Sequence, residues 1–212
     1  MSDSSPQPAP KVLVIASGNA GKLREFTALL ATEGPELDLE VRSQPQGLEV
    51  EETGDSFAAN ARLKAEAVAR LTGHWALADD SGLSVDALGG APGIHSARYA
   101  PTDPERITRL LEALAGEPNR RARFTAALAL ADPSGQTVLE VEGVCMGEIL
   151  DAPCGEGGFG YDPVFLVPET GLSFAQMTPE LKRRVGHRGR ALEALLPPLQ
   201  RLFADAGRET VC

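Results

Sequence analysis

The sequence predicts a single mixed α/β domain, and three observations lead there. The first is Lys11-Val12-Leu13-Val14-Ile15-Ala16, a nearly continuous apolar run followed by the loop Ser17-Gly18-Asn19-Ala20-Gly21 and a segment in which Leu23, Phe26, Leu29 and Leu30 recur at helical spacing. A run apolar on both sides of the pleat suits a strand covered on both faces, which a helix after the loop would help to provide. The second is a short apolar strand over 75–78 that runs into Asp79-Asp80-Ser81-Gly82. Charged side chains at a strand end are where α/β folds place active sites. The third is a pair of long strands, 121–132 and 137–150, around Pro133-Ser134-Gly135-Gln136; they read as a hairpin that extends the sheet antiparallel.

The remaining elements follow from local signals. After a helix over 22–31 comes a strand near 39–42. A helix over 56–71 has Ser56 as N-cap and Phe57, Leu63, Ala67 and Leu71 on its apolar side. Asp103 supplies an N-cap and Pro104 a first helical position for a helix over 104–115. The Gly-rich stretch 155–160 leads into an extended segment over 161–167, and helices are expected over 173–183 and 190–204. No repeat or linker divides the chain, so one domain over 11–212 is expected. The polar, Pro-rich start lacks a basic and an apolar region and reads as a flexible lead-in at 1–10, not a signal peptide.

Composition narrows the partners. With 20 Lys and Arg against 30 Asp and Glu, the 212-residue chain has a formal charge of −10, which excludes a general polyanion-binding surface. Hydrophobic residues at 42% allow a sizeable core and exclude global disorder. Apolar stretches such as 126–131 fall far short of the roughly 20 residues of a membrane span. Cys145, Cys154 and Cys212 are odd in number and lack zinc-type spacing, as expected of a reduced, cytoplasmic protein.

Several clusters carry chemistry. Ser17, Gly18, Asn19, Ala20, Gly21 and Lys22 bring backbone N–H groups, a helix N-terminus and an ammonium to one place, an anion site. This is not a Walker A loop, because only Asn19 and Ala20 separate Gly18 from Gly21-Lys22. Gly155-Glu156-Gly157-Gly158-Phe159-Gly160 matches the dinucleotide fingerprint by letter, but that fingerprint must leave a strand and open a helix. A loop presenting Phe159 for stacking on a flat ring is the better reading. The pairs Glu51-Glu52 and Asp79-Asp80 are the acidic candidates for Mg²⁺, which takes a few carboxylates with waters and phosphate oxygens. Asn60 and Lys64 share a helix face, either to address phosphate or as an ordinary solvated pair. Lys182, Arg183, Arg184, Arg188 and Arg190 crowd around His187 in an otherwise acidic chain, which points to a bound anion.

Seven motifs in order across 12–195 resemble the inosine triphosphate pyrophosphatase family, the XTP/dITP diphosphatases. They are the Ser17 to Lys22 loop; Glu51-Glu52-Thr53-Gly54-Asp55-Ser56-Phe57 with Asn60-Ala61 and Lys64-Ala65; Ala78-Asp79-Asp80-Ser81-Gly82-Leu83; and Val85-Asp86-Ala87-Leu88-Gly89-Gly90-Ala91-Pro92-Gly93. Ser96-Ala97-Arg98-Tyr99, Gly158-Phe159-Gly160-Tyr161-Asp162-Pro163 and His187-Arg188-Gly189 complete the set.

The resemblance implies a long mixed sheet flanked by helices, a nucleotide cleft between two lobes, and a homodimer. It implies Mg²⁺-dependent hydrolysis of inosine, deoxyinosine and xanthosine triphosphates to the monophosphate and pyrophosphate. Ser17 to Lys22 and Lys64 would hold the triphosphate, Glu51 and Asp80 would be the metal-linked acids, and Asp80 would activate water. Ser81, Phe159, Gly160, Tyr161, Asp162, Lys182, His187 and Arg188 would complete the nucleotide site.

Triphosphate hydrolysis needs charge neutralisation and a positioned water more than covalent chemistry, and the clusters supply both. A 6-keto purine satisfies a donor such as Arg188 or a backbone N–H where adenine presents an amino group, a mismatch able to discriminate by up to about 10⁴ to 10⁵-fold. Gly186 stands where Ser or Asn is usual in relatives. The competing readings are a diphosphatase for other modified nucleotides and a nucleic-acid-binding module on the 182–190 cations.

Overall fold

The first apolar run becomes an inner strand of a seven-stranded mixed sheet in the computed structural model, which describes residues 11–33 and 37–206. The lead-in at 1–10 and Cys212 lie outside the described residues. Strand β1 (Lys11–Ala16) lies between β2 (Leu39–Ser43) and β3 (Trp75–Val85), parallel to both. The rest of the sheet is antiparallel: β3 pairs with β4 (Arg121–Ala131), β4 with β5 (Thr137–Ile149), and β6 (Phe165–Val167) and β7 (Leu172–Ser173) close the order β2-β1-β3-β4-β5-β6-β7. The hairpin thus extends the sheet as expected.

Helices cover both faces of the β1 half. On one face Leu13, Ile15, Leu77 and Leu128 pack against Phe26 and Leu29 of α1 (Ala20–Glu33) and Leu192, Leu195 and Leu199 of α5 (His187–Ala206). Each such side chain contributes roughly 1.5–3 kcal/mol through burial. On the other face, α2 (Phe57–Thr72) sets Ala61, Ala65 and Ala69 against Ala76, Ala78, Ala127 and Ala129, and the small side chains let helix and sheet approach closely. Ser56 caps α2 by accepting from the Ala59 amide, and Gly73 ends it at φ 67. A second lobe forms on the far ends of β3, β4 and β5, where Leu83, Val85, Phe124 and Phe165 meet Ile107 and Leu110 of α3 (Asp103–Ala113).

Four expectations change. The buried face of α2 is Ala61, Ala65, Val68 and Ala69, whereas Leu63 and Leu71, expected on its apolar side, are exposed. β3 does not end at Ala78: it runs eleven residues to Val85, because β4 offers a partner for every residue from Ala76 to Val85. The acidic pair therefore sits mid-strand, and alternation sends Leu77, Asp79 and Ser81 to the α1/α5 face and Ala78 and Asp80 to the α2 face. The helix expected over 173–183 is shorter. Leu172–Ser173 is β7, a 3-10 turn follows, and α4 (Pro179–Val185) starts after the cap Thr178, while α5 begins at His187, three residues before the expected start at 190. Finally Thr102, not Asp103, caps α3, in a capping box with Glu105 that leaves the Asp103 carboxylate for other work.

Gly143 links sheet to site. A Cβ there would lie 2.2 Å from the His187 carbonyl and 2.3 Å from the Ala191 amide, so only glycine lets the start of α5 rest on β5.

Candidate active site

β1 pairs with β3 only as far as Ala16 opposite Ala78. Beyond that point this edge of β3 is open, and the Asp79 carbonyl accepts from Lys64 Nζ at 2.9 Å and Lys22 Nζ at 3.4 Å. A cavity of about 630 Å³ opens there, between the two lobes, within the size range of small-molecule sites.

Its α2 side holds an acid–lysine–acid bridge. Lys64 Nζ donates to Asp80 Oδ1 at 2.8 Å and to Glu52 Oε1 at 2.9 Å, and Arg98 reaches the other Glu52 oxygen at 3.2 Å. Asn60 is fully buried; its Oδ1 accepts from the Gly54 amide at 2.8 Å and its Nδ2 lies 3.4 Å from Asp80 Oδ2. Asn60 thus ties the loop before α2 to the strand. Of the two acids, Glu51, expected at the metal, is exposed and outside the cavity lining, while its neighbour Glu52 lines it. Burial raises the Asp80 carboxyl above its ordinary range despite Lys64. Burial acts in the same sense on Glu52, but Lys64 and Arg98 outweigh it and hold Glu52 low.

The opposite face is organised by Asp79. Its Oδ2 takes Lys22 Nζ at 2.8 Å, the Ser81 hydroxyl at 3.0 Å and Arg188 Nε at 3.2 Å. Burial disfavours this carboxylate, yet Lys22 and Arg188 hold it well below the usual range. Arg188 is spent on such contacts, since its Nη1 donates to Glu25 at 3.0 Å and its Nη2 to Ser81 at 2.8 Å. All three of its nitrogens therefore have a protein partner, and Arg188 still lines the cavity. His187 is buried, stacks on Phe124 at 4.7 Å between ring centroids, and has no hydrogen-bond partner on either ring nitrogen. Burial and the cation Arg188 keep it neutral, with its pKa well below the ordinary value.

The loop expected to hold phosphate is built as its sequence implies, with some donors already used. Asn19 Oδ1 caps α1, accepting from the Gly21 and Lys22 amides at 2.8 and 3.2 Å, and Ser17 Oγ accepts from the Asn19 amide at 3.2 Å. Gly18 lines the cavity with them, whereas Ala20 turns away from it. Facing this loop is the Gly-rich segment, a loop as expected, with Phe159 against Gly21: a Cβ on Gly21 would stand 3.2 Å from the ring. The Lys182 ammonium and Arg188 guanidinium lie 5.2 and 5.3 Å from the Phe159 centroid. Lys182 also pairs with the buried Asp162 at 2.6 Å, Gly160 and Tyr161 line the cavity, and the Tyr161 hydroxyl donates to the Ser96 carbonyl at 3.0 Å.

A model of the Ham1 family matches residues 13–197. The chain belongs to the Ham1 family. A protein of Parasynechococcus marenigrum named dITP/XTP pyrophosphatase is 61% identical over 93% of this chain and all of its own length. One of Nostoc sp. with the same name is 58% identical over 92% of this chain and 98% of its own. The solved Coxiella burnetii HAM1 protein is 41% identical, with a TM-score of 0.81 over 90% of this chain and 99% of that one.

In this Ham1 chain the cations at 182–190 divide: Arg188 lines the cleft, Lys182 pairs with Asp162 beside it, Arg190 donates to the Val144 carbonyl at 2.7 Å, and Arg184 is exposed. Sequence reasoning passed over Glu25, Asp79 as an ion-pair hub, Asp103 and Arg106. Glu25 and Asp103 each sit on a helix turn beside a motif, with nothing local to show which way they face. No described helix is long and apolar enough to cross a membrane.

Proposed function

We propose that this chain hydrolyses non-standard purine nucleoside triphosphates, dITP, ITP and XTP, to the monophosphate and pyrophosphate. The observation that carries the reading is one cleft lined by cations, by the lysine-bridged acids Glu52 and Asp80, by Phe159 and by the unpartnered His187. The names of the relatives support dITP and XTP.

Among the described residues no three His, Cys, Asp or Glu side chains form a ready metal cage. Two hard carboxylates, Glu52 and Asp80, converge on a single ammonium, which fits Mg²⁺, an ion that takes one or two carboxylates plus water and phosphate oxygens. When bound, Mg²⁺ offsets charge on the phosphate oxygens. Lys22, Lys64 and the Ser17 to Lys22 loop, through Gly18, place the phosphates against β3. A water in line with the α-phosphorus gives its proton to the Asp80 carboxylate, whose raised pKa suits that role, and pyrophosphate leaves. Phe159 stacks on the base, and His187, in the tautomer that presents a ring N–H, donates to the 6-keto oxygen; that tautomer faces the adenine amino group donor to donor.

The test is a panel of dITP, XTP, dATP and dGTP with Mg²⁺ and product identification. Pyrophosphate release from dITP and XTP is expected at least 100-fold faster than from dATP, within the range of such mismatches. Equal rates would overturn the specificity, orthophosphate as first product would overturn the cleavage position, and DNA binding without turnover would favour the nucleic-acid alternative. We further propose a cytoplasmic homodimer, supported by free Cys145 and Cys154 and by Met146, 56% exposed on the outer face of β5. Sedimentation at twice the monomer mass and recovery in the cytosolic fraction are the checks; a monomer, or recovery elsewhere, overturns that part.

A further inference from the structure

Phe159 occupies a loop rich in conformational freedom: Gly157 and Gly158 precede it, and Gly158 and Gly160 adopt φ 76 and 63. Such a loop holds an aromatic ring in one place only if it is tied from outside. Some ties are near in sequence or sit on the ring: the Phe159 amide donates to Asp162 Oδ2 at 2.9 Å, the Gly157 amide to the Ala175 carbonyl at 3.0 Å, and Lys182 and Arg188 lie over the ring. A further one crosses the cleft mouth. The Gly160 amide donates to Asp103 Oδ2 at 2.7 Å, across 57 residues of sequence, and it is the amide next to the stacking residue. A hydrogen bond to an ionised acceptor is both shorter and stronger than a neutral one.

Asp103 is itself oriented. Arg106 Nη1 donates to Asp103 Oδ1 at 2.5 Å, and Arg106 Nε is fixed by the Ala100 carbonyl at 2.9 Å. Because Thr102 and Glu105 form the capping box of α3, the Asp103 carboxylate is not consumed by the helix end. Both Asp103 and Arg106 line the cavity. The chain of contacts runs from Arg106 through Asp103 and Gly160 to Phe159.

We infer that Asp103, held by Arg106, is a positioning residue that fixes the Phe159 base platform from the second lobe. The inference rests on the proposed reading of the cleft as a nucleotide site. It predicts a defect in binding the base, since the phosphate end is built from other residues.

Steady-state kinetics on dITP in wild type, Asp103→Ala, Asp103→Asn, Phe159→Ala and the Asp103→Ala/Phe159→Ala double variant test it. Asp103→Ala is expected to raise KM about tenfold with kcat within about threefold of wild type, the scale of one lost charge-assisted hydrogen bond. Asp103→Asn, which keeps a carbonyl acceptor, should recover most of that loss. In the Phe159→Ala background Asp103→Ala should add less than about twofold, because the platform it positions is gone. An unchanged KM in Asp103→Ala, or a full tenfold effect persisting without Phe159, overturns the role of Asp103 while the site reading stands. A wild-type protein inactive on every non-standard purine triphosphate overturns the site reading and the inference with it. Should Asp103→Ala fail to fold, Arg106→Gln carries the same test, with a roughly twofold to fivefold rise in KM expected and no rise overturning the proposal.

Discussion

Asp80→Asn is expected to lower turnover of dITP by about 10³-fold, within the range lost when a positioned general base is removed. Asn preserves the shape and retains an acceptor for Lys64 Nζ, now 2.8 Å from Asp80 Oδ1. It cannot take a proton from water, and it removes one of the two carboxylates that converge on Lys64. Thermal unfolding should be close to that of wild type, because the carboxylate is raised in pKa by burial and so gains little from ionising in the fold. The measurement is kcat with saturating dITP and Mg²⁺ beside a melting curve. Turnover within tenfold of wild type would remove Asp80 from the proton-transfer role. A matching loss in Glu51→Gln with none in Glu52→Gln would contradict the side-chain directions, since Glu51 is exposed and Glu52 is held in the cleft by Lys64.

The Glu51-Glu52 pair, of which Glu52 lines the cavity, shows where sequence stops being legible. The strand–loop–helix at 11–33, the hairpin and the Gly-rich loop were readable because each is specified locally, by an apolar run, a turn or a cluster of glycines. The full length of β3 was not. Asp79-Asp80-Ser81-Gly82 has the composition of a loop, and it becomes strand because β4, some fifty residues later, supplies the partner ladder, while Lys22, Lys64 and Arg188 supply countercharge from three different helices. The direction of Glu52 depends on Asn60 drawing in the Gly54 amide, a contact with no sequence signature. Thr178-Pro179, a cap followed by a first-turn proline, did mark the true start of α4, although the apolar spacing upstream of it reads as an earlier helix.

Asp79→Ala is expected to destabilise the fold by about 3–5 kcal/mol, the cost of leaving buried charges without their partner. The side chain is 3% exposed and joins Lys22 of α1, Ser81 of β3 and Arg188 of α5 on a single oxygen. Arg188 keeps Glu25 in the variant, but among the described residues the part-buried Lys22 has Asp79 as its carboxylate partner, so Lys22 bears most of the loss. Replacing Lys22 by Met in the same chain should therefore recover part of it, a coupling of about 1–3 kcal/mol.

The pH dependence follows from the depressed Asp79 carboxyl. Its folded pKa lies below the unfolded value of about 3.9, so its contribution is fully present above that value and is lost as pH falls toward the folded one. The stability gap between wild type and Asp79→Ala, measured by chemical denaturation, should be constant from pH 7 to about pH 5 and shrink below about pH 4. A gap that persists unchanged at low pH would mean that Asp79 acts through packing and not through its charge. A gap under about 1 kcal/mol at neutral pH would mean that the Lys22–Asp79–Arg188 cluster is solvated well enough to dispense with its anion, and that the phosphate end of the cleft is not held in place by the strand beneath it.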